Sequence, residues 1–245
     1  MFIWSFPVLW RSRCAIGLAI WLLLLACATA RAADVPHPMA ERTAACTACH
    51  GTQGKAGPDG YYPRLAGKPA GYLYNQLRNF QDARRHYTLM AGLLAPLGPD
   101  YLRDMATYFS ELDVPYPPPA RSGAPAAVLA RGKTLVLHGD KALGIPACVA
   151  CHGAALTGVQ PNTPGLLGLP RDYLNAQLGG WQTGQRKAHA PDCMAAIARK
   201  LSADDVNAAT QWLSSQTLPA STKPVAQRPA ALPGALALPP CGSAP

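Results

Sequence analysis

Apolar side chains recur at a helical period in two stretches of the first half of the chain. Tyr72, Leu73, Leu77 and Phe80, with Gln76 among them, share one face of a helix that opens at Pro69, a good first-turn residue. Leu102, Met105, Ala106 and Phe109 share a face of another, from Pro99 to about Leu112. Between them, Met90 to Leu97 is a short apolar segment that follows a charged, loop-like run from Asp82 to Tyr87. Upstream, Met39 to Ala48 reads as a short helical stretch and Gly51 to Gly60 as a glycine-rich loop. Asp113 to Ala126, DVPYPPPARSGAPA, has no apolar period and reads as a semi-stiff linker.

The pattern then begins again. Val128 to Leu137 is helical. PRDYLNAQL (170–178) mirrors PAGYLYNQL (69–77), and Trp181 to Lys187 mirrors Phe80 to His86. Met194 to Leu201 mirrors Met90 to Leu97, and Ala203 to Leu213 mirrors Pro99 to Phe109. A repeat of this length sets the architecture. The chain is expected to be all-α, in two tandem helical domains at 34–113 and 128–217, joined by a Pro-rich linker at 114–127. A Pro/Ala-rich tail at 218–245 is expected to be poorly ordered.

The repeat carries a candidate chemistry. Cys46-Thr47-Ala48-Cys49-His50 recurs 102 positions later as Cys148-Val149-Ala150-Cys151-His152. Cys-x-x-Cys-His is the pattern of c-type haem attachment. Two cysteines three apart near a short helix present both sulfurs to the vinyl groups of one porphyrin, and the next residue offers its imidazole to the iron. A lone pentapeptide also fits a redox cysteine pair with a neighbouring histidine. Two in matched surroundings predict two covalently attached haems c, bound through Cys46, Cys49, Cys148 and Cys151 and ligated by His50 and His152.

The second axial ligand is sought at equivalent places in the repeat. Met90 lies 40 residues after His50, and Met194 lies 42 after His152. A methionine on an apolar face is ordinarily core filler; recurrence at matched distance makes these two the expected iron ligands. His86 and His189 are nearby and read as surface residues. Cys193 adjoins Met194 and keeps three readings: a thiolate ligand, a disulfide to Cys241, or a free thiol. Asp192 reads as a helix cap. Pro63 and Pro164 sit in matching turns. Each is either an ordinary turn proline or the place where a carbonyl orients the histidine through its other ring nitrogen. Arg64 is a candidate partner for a haem carboxylate, but Gly165 stands at its counterpart.

Composition adds the compartment. Residues 1–33 have a basic start at Arg11 and Arg13, a 16-residue apolar run from Ala15 to Ala30, and small-x-small sites at Ala28–Ala30 and Ala30–Ala32. This reads as an export signal peptide, the apolar run being shorter than a membrane-spanning helix needs. A retained anchor, or a lipoprotein site at Cys27, are the other readings. Export fits covalent haem assembly, so the mature protein is expected in the periplasm. The net charge is +9, and about +6 without the leader's Arg11, Arg13 and Arg31. No aromatic-interleaved basic run accompanies it, so nucleic acid is not an expected partner.

The motifs CTACHG and CVACHG, the runs YPRLAGKPAGYLYNQL and TPGLLGLPRDYLNAQL, and MAAIARKLSADDV together resemble the di-haem cytochrome c4 family over roughly residues 40 to 216. The resemblance implies two cytochrome c-like domains, haem propionates facing each other across their interface, and His/Met ligation at both irons. It also implies that Pro63 and Pro164 serve the histidine-orienting turn. A one-electron carrier follows, rather than an enzyme, with redox partner proteins (oxidase, reductase or dehydrogenase), membrane-associated partners among them. Two alternatives accompany it: a cytochrome subunit of a periplasmic dehydrogenase, and a di-haem sulfur-oxidising enzyme using Cys193 as haem ligand.

Overall fold

Helices form where the apolar period places them, and local chemistry sets their ends. The computed structural model describes residues 38–57, 60–230 and 234–244; the expected signal peptide, with Cys14 and Cys27, lies outside them. The stretch read as one helix from Met39 to Ala48 is two, α1 (Pro38–Arg42) and α2 (Ala44–His50). The break falls at buried Thr43, whose hydroxyl donates to the Met39 carbonyl at 2.6 Å. Such back-bonding competes with the helical ladder and bends it. α3 (Ala70–Gln81) has Pro69 as its N-cap rather than its first residue. α4 (Thr88–Leu94) and α5 (Pro99–Glu111) follow.

The second half repeats the order. α6 (Ala126–His138) enters the expected linker by two residues. α7 (Val149–His152) is one turn, and β1 (Gly158–Val159) pairs antiparallel with β2 (Thr163–Pro164). α8 (Arg171–Thr183), α9 (Cys193–Ala198) and α10 (Ala203–Ser214) complete it. Asp192 caps α9 as expected, accepting from the Ala195 amide at 3.0 Å. Ser202 and Asp205 form a capping box at the start of α10. Among the described residues, no helix is long and apolar enough to cross a membrane.

Residues from Met39 onward belong to one compact unit. Its apolar side chains gather in separate clusters. Leu73, Ala106 and Phe109 form one, with Cys46 packed against it; Met39, Phe80, Leu94, Leu102 and Met105 form another, with Met90 at its edge. In the second half, Val136, Leu156, Leu167, Tyr173, Leu174 and Leu213 surround Cys148. α6 and α10 cross at Gly132, where a Cβ would collide with the Ala208 carbonyl. Only glycine permits that approach. The linker is fastened at its start. Arg64, 4% exposed, donates to the carbonyls of Val114, Pro115 (3.2 Å) and Ala66 (3.0 Å) and lies 3.8 Å over the Tyr116 ring.

The tail departs from expectation: it is built into the fold. Val225 pairs beside Val159, donating to the Gly158 carbonyl (3.0 Å) and accepting from the Gln160 amide (2.8 Å). Further on, Cys241 is disulfide-bonded to Cys193. Gly242 donates to the Pro191 carbonyl, and Ser243 bonds to the His189 amide and to Asn75 of α3. Non-local backbone pairing and one covalent tie supply the order that a Pro/Ala composition cannot supply locally. The bridged cysteines are 48 apart in sequence. Cys241→Ser is therefore expected to cost about 2–4 kcal/mol of stability in urea unfolding, with added dithiothreitol destabilising the wild type but not the variant.

Candidate functional site

α2 ends at His50, so Cys46, Cys49 and His50 lie on its last turn and a half. His50 is 6% exposed, and its Nδ1–H donates to the Pro63 carbonyl at 2.8 Å. Burial pushes the imidazole's pKa down, opposed by this bond and reinforced by the charge of Arg85. The ring is held neutral, with Nδ1 occupied and Nε2 left as the nitrogen with a free lone pair. The chain reverses directly after it at Gly51, at φ +74°. A Cβ there would collide with the Ala56 carbonyl, so the final glycine of CTACHG is needed to bring Pro63 back over the histidine. Cys46, Cys49, His50, Pro63 and Met90 all line one cleft of about 770 Å³, within the range of cofactor pockets. The expected ligand set of the first half is therefore brought together.

The second half rebuilds these features. His152, 7% exposed, donates from Nδ1 to the Pro164 carbonyl at 2.7 Å, and Gly153 turns the chain at φ +86°. Burial again lowers the imidazole's pKa, with Lys68 adding to it. Cys148 is the N-cap of α7 and Cys151 lies within it, and Met194 is half-buried in the first turn of α9; none of them lines the first cleft. Cys193 is committed to its disulfide, so its sulfur is not a candidate ligand in this structure. Of the other two candidates, His86 is exposed, and His189 is half-buried with Arg84 3.3 Å from its Nε2. Arg64 is occupied by the linker carbonyls described above.

The four motif cysteines are half-buried, and none of them is in a disulfide. Burial pushes Cys46 and Cys151 up and Cys148 up to about 12. A redox or nucleophilic pair needs a stabilised thiolate, and burial in apolar surroundings opposes one. Half-buried thiols beside a carbonyl-held imidazole, the first pair lining an apolar cleft, fit c-type haem attachment instead.

Two sets of residues escaped the sequence reading. Gln81 donates from Nε2 to the carbonyls of Leu94 (2.7 Å) and Leu97 (2.9 Å), and Gln182 does the same to Ala198 (3.0 Å) and Leu201 (2.9 Å). These glutamines moor the short helices that carry Met90 and Met194. The second set lies where the halves meet. His86 donates to the Gln185 carbonyl (3.0 Å) and Lys187 to the Arg84 carbonyl (2.6 Å), with Arg85 and Arg186 directly opposed. Each contact is the other's counterpart in the repeat, the signature of a local twofold. The signal was present in sequence, since Gln81 and Gln182, like Arg85 and Arg186, occupy equivalent repeat positions. Polar residues in loops simply carry no periodicity to flag them.

No protein-family model matches the chain. It is 40% identical over 176 residues to the thiosulfate dehydrogenase electron acceptor of Thiomonas intermedia, covering 71% of this chain and 80% of that one. It is 32% identical to cytochrome c4 of Pseudomonas aeruginosa, covering 70% and 84%. Among solved structures, cytochrome c4 from Pseudomonas stutzeri superposes with a TM-score of 0.62 at 29% identity, over 76% of this chain and all of that one. Thiosulfate dehydrogenase (TsdBA) from Marichromatium purpuratum gives 0.61 at 31% identity, over 71% of this chain and 36% of that longer one. The all-helical expectation is thereby met. Because Gly51 sets the turn beneath His50, Gly51→Ala is expected to cost about 1–3 kcal/mol, measured by chemical unfolding.

Proposed function

The chain belongs to the cytochrome c4 family, and on that basis we propose that it is a periplasmic electron carrier with two covalently attached haems c. The observation that carries this reading is the duplicated Cys-x-x-Cys-His, each histidine buried and held through Nδ1 by a proline-turn carbonyl. Cys46 and Cys49 would attach the first haem, with His50 and Met90 holding its iron. Cys148 and Cys151 would attach the second, with His152 and Met194 holding its iron. Each half, 34–113 and 128–217, serves as the domain of one haem.

The iron supplies one-electron chemistry, and the protein supplies ligands, burial and a docking surface. No bond is made or broken by the chain itself. The methionines raise the reduction potential and close the irons to outside ligands. The leader at 1–33 directs export. Relatives named as electron acceptors of thiosulfate dehydrogenase support a dehydrogenase as the donor; an oxidase or reductase is the acceptor in this proposal. The basic balance of the chain favours acidic docking partners.

A second reading, a stably bound dehydrogenase subunit, is favoured by the match to part of a longer chain named thiosulfate dehydrogenase. Size-exclusion of the native complex separates the two, a carrier eluting alone. Mixing the oxidised protein with a thiosulfate dehydrogenase and thiosulfate is expected to reduce both haems in stopped-flow absorbance. No reduction beyond that by thiosulfate alone would remove the dehydrogenase as donor. Met90→Ala and Met194→Ala are each expected to keep haem attached, lower that haem's potential, and admit carbon monoxide where the wild type does not.

A further inference from the structure

The loop that delivers Met194 is braced by the end of the chain. Its residues 189, 191 and 193 are each tied to the tail tip, which runs antiparallel to them. The His189 amide donates to the Ser243 hydroxyl (3.2 Å), the Gly242 amide donates to the Pro191 carbonyl (2.9 Å), and Cys193 is bonded to Cys241. A Cβ at Gly242 would collide with the Ala190 carbonyl, so only glycine lets the tip lie this close. The Ser243 carbonyl also accepts from Asn75 of α3 (3.3 Å), so the tip reaches the first half as well. The first half braces the equivalent loop differently. Tyr87, three residues before Met90 as Pro191 is before Met194, packs edge-on against Tyr61, with 6.3 Å between ring centroids. Asn162 stands at the place of Tyr61 in the second repeat, so the tail tip does there what a ring does in the first.

This brace hangs on the disulfide. Among the described residues, 234–240 make no backbone hydrogen bond, so main-chain pairing does not hold the approach to the tip. Pro240 and Gly242, on either side of Cys241, are exposed, as is Pro191 across from them, and the two bridged cysteines are only half-buried. Beyond the disulfide, the tip keeps single hydrogen bonds to His189, Pro191 and Asn75, and one from Arg228 of the tail itself to the Ala244 carbonyl (2.7 Å). Thiol–disulfide exchange depends on access to a sulfur, and a chain end can open locally without opening a core. Once the tip is released, Asp192 still accepts from the Ala188 (2.7 Å) and Ala195 (3.0 Å) amides, and Gln182 still moors the far end of α9. The end that loses its ties is the one that carries Met194.

We infer that Cys193–Cys241 is a thiol-exchange site in the folded protein, and that its reduction frees the tail tip and opens the second iron site, but not the first, to outside ligands. The opening rests on the two-haem reading with Met194 as a ligand; the exchange does not. The co-reactant is a dithiol. One of its thiolates attacks one sulfur of the bridge, and the other sulfur leaves as a thiolate and takes up a proton. The second thiol then resolves the mixed disulfide. The protein bridge gains two electrons and two protons, and the dithiol is oxidised to its own disulfide. Cys193 and Cys241 are positioning residues, acting on the iron site through the loop before Met194.

The test uses the haem-loaded full chain, with haem first counted by pyridine haemochrome. The protein is treated with dithiothreitol under native conditions, the reagent is removed, and thiols capped with a maleimide are located by peptide mass. Capping of Cys193 and Cys241 with the helical circular dichroism unchanged is expected. Capping only in urea that unfolds the chain overturns the exchange site. Ferrous protein, reduced with ascorbate so that the bridge is spared, is then exposed to carbon monoxide. The untreated protein is expected to bind none and the thiol-treated protein one per chain. Cys241→Ser is expected to bind one without thiol, and Met194→Ala, already open at that iron, to gain no more on thiol treatment. Binding at neither haem or at both after reduction overturns the selective opening, as does a further gain in Met194→Ala. Fewer than two haems overturns the two-haem reading and the opening with it, and the capping result then decides the exchange site alone.

Discussion

A buried imidazole held by a backbone carbonyl is the contact on which both sites depend. His50 and His152 are each almost fully enclosed, where a charged ring would be costly. The proline-turn carbonyl accepts from Nδ1 in each, fixing tautomer and orientation together. Everything around the contact serves to deliver it. Gly51 and Gly153 reverse the chain after the histidine at positive φ, and the turn returns a carbonyl 13 or 12 residues later. The carbonyl comes from the main chain, so the side chains of the turn are free to differ: Arg64 after Pro63, Gly165 after Pro164.

That freedom separates what was legible in the sequence from what was not. The helices bearing apolar faces were legible because a 3.6-residue period is a local property. α3, α5, α8 and α10 lie where the period placed them. So was the gathering of Cys46, Cys49, His50 and Met90 in one cleft, because the repeat pairs Met90 with Met194 and each with its histidine. The tail was misread. Its order comes from pairing with Gly158 and Gln160 and from a bond to Cys193, none of it encoded in the tail's own composition. The break at Thr43 escaped for the opposite reason: a single hydroxyl overrides a propensity summed over ten residues.

The polar residues between the halves were invisible for a further reason. Gln76, Arg85, Gln177 and Arg186 have ordinary surface identities, and no single-chain period separates an exposed arginine from one turned inward. Their meaning appears only when the two repeats are laid over each other and then brought face to face. Arg85 reaches Gln177 while Arg186 reaches Gln76, so each half supplies the same pieces to the other.

Duplication also explains where the symmetry stops. Features that touch a histidine, its methionine-bearing helix or the partner half recur: the proline carbonyls, the mooring glutamines Gln81 and Gln182, the opposed arginines. Features at the periphery do not. Among the described residues, only the second half has the β1–β2 pair with Val225 alongside, and only the second has a cysteine before its methionine, covered by the tail through Cys241. The position equivalent to Cys193 is Leu89, half exposed at the mouth of the first cleft. A carrier that must accept and donate through protein surfaces gains from this division. The shared interior joins the two histidine sites through one set of polar contacts, while the unequal exteriors give each end a different face to present.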